Sequence, residues 1–357
     1  GNADNPLAVL YRAKDNANNS GQFFGSAYAD IQLLKGLTFR STFGIRYENY
    51  NGLSISYPNP ERSEGNFTNN TLNESQGYNS EWTWTNTATY KNEFSGGHNL
   101  SVLLGTEAVE SKWHQLNGEG TGFFIAGDLN YYYLNTAANT NGGSQGSESA
   151  LFSLFGRADY SFKDRYLLSA TVRRDGSSNF GPENRYGVFP AASAAWRISS
   201  ENFMSRVMWI DDLKLRAGYG ITGNQRIPTF QYLRRYASGI NQSFYPIAGG
   251  NDVTSGLWTS NYDNQDVRWE QLKSINIGLD FTLFNSAIDG AVEWFDRRTT
   301  GVLYPVPQPA AAVGTGSSPF INSGDIQNSG IEASINYHYT GSGDEDAFQF
   351  DVGLFFS

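Results

Sequence analysis

The feature that most constrains this chain is an alternation of apolar and polar side chains that recurs in twelve segments. From 37 to 48 the odd positions are Leu37, Phe39, Ser41, Phe43, Ile45 and Tyr47. The even positions are Thr38, Arg40, Thr42, Gly44, Arg46 and Glu48. Successive side chains of a strand point to opposite faces, so such a segment separates water from an apolar medium. The same split recurs over 213–222, 274–283 and 331–340, and more weakly near 22–34, 80–91, 99–111, 150–162, 166–174, 187–198, 287–298 and 348–356. Most of these segments run about ten residues, the length a tilted strand needs to cross a bilayer. Alternation by itself leaves two readings open. A soluble β-sandwich, or a pair of them, alternates in the same way as a transmembrane barrel.

The connections separate the two. Short links at 35–36, 94–98, 163–165, 285–286 and 341–347, with an intermediate one at 199–210 where one helical turn is expected, alternate with longer ones at 51–78, 114–148, 175–185, 223–265 and 303–329. Short turns at one end and long loops at the other are the pattern of an outer-membrane barrel. We therefore expect an all-β fold, an antiparallel up-and-down transmembrane β-barrel. Twelve strands place both chain ends on the long-loop side, so a partial barrel cut from a larger one is expected. The abrupt stop after Phe355 and Phe356 and the lack of an N-terminal signal peptide point the same way. No fixed-period repeat suggests a propeller or solenoid.

Composition excludes several classes. Aromatics make up 15% of the residues, with 39 Gly, which fits neither an acidic disordered chain nor a helical bundle. A net charge of −10 argues against a nucleic-acid partner. The chain has no Cys, which removes disulfides, thiolate metal sites and a Cys nucleophile. No run of about 20 apolar residues provides a transmembrane helix, which says nothing against a barrel.

The second half carries recognisable text. It reads RRDGSSNFGPENRYGVFPAASAAWRISSENF from Arg173, LKLRAGYGITGNQ from Leu213, VRWEQLKSINIGLDFTLF from Val267 and GDIQNSGIEASINY from Gly324. These blocks, in this order, resemble the SusC/RagA family of TonB-linked outer-membrane transporters of Bacteroidetes. The resemblance covers much of the second half, while residues 22–172 fit by pattern alone. It implies that 1–357 is part of a TonB-dependent receptor β-barrel domain, about twelve strands of a larger plugged barrel, with plug, TonB box and N-terminal domain outside this sequence. It further implies import of a bulky nutrient, most often an oligosaccharide and sometimes a peptide. The implied partners are a SusD-like surface lipoprotein, the TonB complex through a region outside this chain, and outer-membrane lipid. Neither nucleic acid nor a cofactor is implied. A surface receptor or adhesin without transport, and an outer-membrane hydrolase, are the alternatives.

Candidate chemistry is sparse. His98, His114 and His338 fall at different ends of the expected topology, so no shared metal site is expected. No G-x-S-x-G supports a serine hydrolase. The run Asp344-Glu345-Asp346 reads as a solvated turn, and Gly118 to Gly122 lacks the helix that a phosphate loop needs. Substrate contacts are expected from long loops, where aromatics stack on sugar faces. Tyr245, Trp258 and Tyr262 in 223–265, and Phe123, Phe124 and Tyr131 to Tyr133 in 114–148, are the candidates, with a docking face for a lipoprotein lid and simple loop packing as the other readings. Arg174 with Asp175 is expected in a charged belt inside the lumen. Gly218 and Gly220 are expected to face a plug, and Trp269 to sit in an interfacial girdle. Arg40, Arg46, Glu81, Arg157, Asp159 and Arg216 are expected to line the polar interior.

Overall fold

The computed structural model describes residues 5–58, 69–125, 129–238, 243–246, 253–307, 309, 317–340 and 348–357. Twelve strands form one sheet: β1 (Ala17–Leu34), β2 (Leu37–Ser56), β3 (Thr71–Phe94), β4 (His98–Thr121), β5 (Asn139–Phe162), β6 (Tyr166–Ser177), β7 (Tyr186–Arg197), β8 (Ile210–Asn224), β13 (Glu270–Leu283), β14 (Ile288–Thr300), β17 (Asp325–Thr340) and β18 (Gln349–Phe356). Their order in the sheet is their order along the chain, so the topology is an up-and-down meander with β1 and β18 as its two edges. Three small hairpins sit in the long connections: β9 (Arg235–Ser238) with β12 (Leu257–Asn261), β10 (Phe244–Pro246) with β11 (Val253–Ser255), and β15 (Leu303–Pro305) with β16 (Phe320–Asn322). A short helix, α1 (Pro6–Arg12), starts at Asn5, whose side chain accepts from the Leu7 amide at 3.0 Å.

Every expected strand segment falls on one of the twelve, overrunning it by one residue at 198, 287 and 348. The first five differ in length, at 18 to 24 residues, about twice what a bilayer crossing needs. Their extra turns of ladder lie in Asn-, Ser- and Gly-rich text such as Thr71 to Tyr78. Apart from the loop-core residue Leu72, both faces are polar over Asn73 to Gln76, so hydropathy carries no period. The link 199–210 contains two 3-10 turns, Ile198–Ser200 and Asn202–Met204.

The chain divides into two compact units. One comprises residues 1–28, 42–84 and 109–150, with a core of Ile55, Leu72, Phe123 and Tyr132. There the Asn70 amide donates to the Phe123 carbonyl at 3.0 Å and the Phe123 N–H donates back to Asn70 Oδ1 at 2.8 Å, tying the 122–138 loop to the foot of β3. Burial, with the Asp15 carboxylate accepting its hydroxyl at 2.8 Å, pushes the Tyr57 phenol up to about 12. The other unit comprises 29–41, 85–108 and 151–357, with a core of Phe180, Phe189, Ile227, Val267 and Trp269. Trp269 is thus buried beneath the loops, with its indole N–H donating to the Arg185 carbonyl at 3.1 Å. The expected girdle position is corrected. An indole one residue before the strand start belongs to the loop core, where its N–H finds a carbonyl that a lipid surface does not provide.

The short turns are built for positive φ. Gly36 closes β1–β2 at φ +82, and a Cβ there would stand 2.4 Å from the Lys91 carbonyl oxygen, which accommodates only glycine. Adjacent turns are also stitched together. The Lys91 N–H donates to the Gly36 carbonyl, Lys163 to Gly97, Arg197 to Arg165, and Phe284 to Trp209. The backbone groups at this end of the sheet are thereby partnered by the neighbouring turn.

Candidate functional site

The two faces of the sheet meet different media. In the larger unit the apolar row continues from strand to strand in register, with Leu215 opposite Leu279, Leu279 opposite Val292, and Val292 opposite Ala333. No second layer covers this row among the described residues. Leu168, Val188, Ile277 and Val352 are each about half exposed, at 52, 53, 47 and 50%. A sandwich packs a second sheet over its apolar face, about 10 Å away. Apolar patches of this extent do not stay in water. The face is a lipid face, and the soluble sandwich is excluded.

The opposite face carries charge. Arg216 Nε donates to Asp280 Oδ1 at 3.0 Å, and its Nη1 lies 2.5 Å from Glu293 Oε2. Lys214 Nζ lies 3.0 Å from the other Asp280 oxygen, and the Asn276 amide donates to Glu293. Arg157 pairs with Asp159 at 2.8 Å, Arg40 with Asp30 at 2.6 Å, and Ser111 donates to Glu81 at 2.6 Å. His338 lies between two carboxylates, with Nδ1 2.6 Å from Asp351 and Nε2 against Asp289. The polar positions expected at Arg40, Arg157, Asp159 and Arg216 are on this face of the larger unit, each in an ion pair, and Glu81 is held by Ser111 in the smaller unit. Gly218 and Gly220 lie on the same face and help line an open cleft of about 1370 Å³ with Arg157, Arg197, Lys214 and Arg216. No cluster of three or more metal-ligating side chains forms among the described residues.

The belt is placed differently from expectation at one position. Arg173, not Arg174, makes the ion pairs. Its Nε donates to Asp175 at 2.7 Å and its Nη2 to Glu107 at 2.8 Å and to Ser153 at 2.8 Å. Residues 173 and 175 share a face because the strand period is two. Arg174 falls on the apolar face, its guanidinium 3.8 Å from the Tyr186 ring centroid.

Five neighbouring strands of the smaller unit add a second polar surface that the sequence reading missed. Asn16, Asn18, Asn73, Asn117 and Asn141, with Gly52 and Ser75 between them, line an open cleft of about 560 Å³. It is rich in amide groups, and Glu74 and Glu119 are its only charged residues. The signal was present as alternate asparagines, but they stand outside the hydrophobic segments and only the register aligns them.

The loop candidates divide. Trp258 sits on β12 opposite Ala237 of β9, half-buried, its indole N–H without a partner among the described residues. Tyr262 faces the Arg234 guanidinium at 5.9 Å. Arg234 donates to Asp263 at 2.8 Å and holds that carboxyl below its ordinary value. Tyr245 lies on β10 opposite Thr254, and its side chain lies outside the described residues. In the other loop Phe123 and Tyr132 are core, while Phe124, Tyr131 and Tyr133 are exposed. The Asp344-Glu345-Asp346 run lies outside the described residues.

Known proteins resemble this chain in sequence and fold. Residues 1–357 match the family TonB dependent receptor-like, beta-barrel. TonB-dependent receptor P39 of Formosa agariphila is 34% identical over 343 residues, covering 93% of this chain and 31% of that protein. TonB-dependent receptor SusC of Bacteroides thetaiotaomicron is 33% identical over 350 residues, covering 93% of this chain and 32% of that protein. Among solved structures, the RagAB peptide transporter superposes with a TM-score of 0.81 at 25% identity, covering 98% of this chain and 38% of that one. The chain spans about a third of the length of the curated relatives it matches. An apolar face open to lipid, an ion-paired face opposite it and these matches lead to one assignment: the chain belongs to the TonB-dependent receptor β-barrel family, of the SusC/RagA type, an outer-membrane group of receptors and transporters rather than enzymes.

Proposed function

We propose that this chain is barrel wall of an importer that draws a bulky nutrient, foremost an oligosaccharide, across the outer membrane. Force comes from the TonB complex, acting through a region outside this chain, and a SusD-like surface lipoprotein presents the substrate. The polar sides of the two units, with Arg40, Arg157, Asp159 and Arg216 in the larger and Arg46 and Glu81 in the smaller, face water or a plug. Gly218 and Gly220, without side chains, let that plug approach closely.

The observation that carries the substrate class is the asparagine cleft of the smaller unit. Amides offer donors and acceptors in pairs, which suits the hydroxyls of a neutral sugar chain. In the larger unit, Trp258, Tyr262 and Tyr245 of the long connection are stacking surfaces in their own right. A peptide cargo is the second reading, favoured by the similarity to a solved peptide transporter. Its backbone amides would use the same asparagines.

The test uses the full-length receptor in its host. Losing TonB function is expected to abolish uptake and spare surface binding. Uptake that is unchanged when the receptor itself is deleted, with surface binding lost, would move the protein to the receptor or adhesin class. Replacing Asn73 and Asn117 together by Ala is expected to weaken oligosaccharide binding about fivefold per lost hydrogen bond. A loss seen only with peptides would select the second reading. Hydrolysis of the glycan by purified receptor would select the enzyme.

A further inference from the structure

Arg174 is a cation on the lipid face. It is exposed, it stacks on Tyr186, and among the described residues it has no carboxylate partner, whereas its neighbour Arg173 has two. It stands three residues before the end of β6, on the side of the long connections. Short turns of an outer-membrane barrel are periplasmic, so this end lies in the outer leaflet. Eight residues away Tyr166 and Trp196 are paired across β6–β7 at the opposite border, where Glu201 of the adjoining link accepts from the Tyr166 hydroxyl at 2.6 Å and the Trp196 indole at 3.1 Å. Between the two borders the face is Leu168, Ala170 and Val172.

Beside Arg174 the face is hollowed. An apolar groove of about 550 Å³ runs over Ala88, Leu104, Leu154, Gly156 and Val172, with Arg174 on its rim. Gly156 makes its floor, where a Cβ would already meet Leu104 at 3.1 Å. Three polar residues, Asn86, Thr87 and Thr106, also line the groove, and the side chains of Asn86 and Thr106 have no hydrogen-bond partner among the described residues. Donors and an uncompensated guanidinium around a greasy channel are costly against plain hydrocarbon and complementary to an acyl chain that carries an anionic, hydroxyl-bearing head.

We propose that this groove is a specific site for the phosphorylated, acylated glycolipid of the outer leaflet. An acyl chain lies over Gly156, and Arg174 is the phosphate ligand. The Tyr186 ring holds the guanidinium at the depth of the headgroup, which leaves its remaining donors free for a phosphate oxygen.

The experiment is native mass spectrometry of the full-length receptor in mild detergent, titrated with lipid A and with lipid A stripped of phosphate. Wild type is expected to prefer the phosphorylated form. Arg174→Gln is expected to lose that preference, with affinity down about fivefold or more. Arg174→Lys should retain part of it, and Gly156→Leu, which fills the floor, should weaken both lipids alike. Lys163→Gln, at the short-turn end, serves as control. Heat-modifiable gel mobility verifies that each variant is folded. Equal binding of the two lipids by wild type overturns the proposal even if no variant folds. So does a phosphate preference that survives in Arg174→Gln, or an equal loss in Lys163→Gln, which would reduce the effect to general charge attraction.

Discussion

Arg173 and Arg174 are adjacent in sequence and live in different media. Arg173 sits among Glu107, Asp175 and Ser153, and Asp175 is buried. Arg173→Leu leaves two carboxylates facing each other without a cation. It is expected to lower stability by about 1–3 kcal/mol, read as a fall in the urea midpoint of the reconstituted receptor. A midpoint unchanged within error would mean that water fully solvates both acids. Asp263 offers a pH test. Arg234 lowers its folded pKa, so the pair contributes in full above the unfolded carboxylate value of about 3.9 and loses that contribution as pH falls through the lower folded value. Amide exchange across β9 and β12, corrected for intrinsic rate, should therefore quicken at about pH 3 relative to pH 7. Arg234→Gln should show the faster exchange already at pH 7.

At the scale of elements, turns and strand faces carry the specification. Gly36→Ala places a Cβ against the Lys91 carbonyl at a positive φ. A cost of about 1–3 kcal/mol is expected, since both the left-handed conformation and the contact are unfavourable. The same assay should show it, and a neutral result would mean that the turn rearranges freely. The non-glycine residues Lys163, Asp164, Asn285 and Ser286 hold similar turns at φ of 53 to 64. Asn and Asp tolerate that region, which is why dipeptides such as Asn285-Ser286 were readable as turns beforehand. The ladder beyond the membrane was not readable. In Asn73 to Gln76 both faces are polar and largely exposed, so pairing rests on backbone hydrogen bonds that any polar residue permits. The small hairpins β9–β12, β10–β11 and β15–β16 escaped for the same reason.

For the whole molecule, the decisive property is the solvent of the apolar face. Ile277→Arg puts a charge on that face and is expected to impair membrane assembly, at a cost of up to about 2–4 kcal/mol near the bilayer midplane. Ser274→Arg, on the polar face, should assemble normally, with heat-modifiable mobility as the readout. Equal behaviour of the two would contradict a lipid-facing row. The sequence by itself determined the twelve strands, their order and their two faces, because a period of two writes each residue's side directly into the text. The family blocks, read together, supplied the family assignment. Only the tertiary structure decided that Arg173 meets Glu107 and Ser153 from other strands, that Trp269 belongs to a loop core, and that five separated asparagines share one cleft. Those facts depend on the register between strands that hydrogen bonding sets across the sheet, and no local pattern along the chain encodes it.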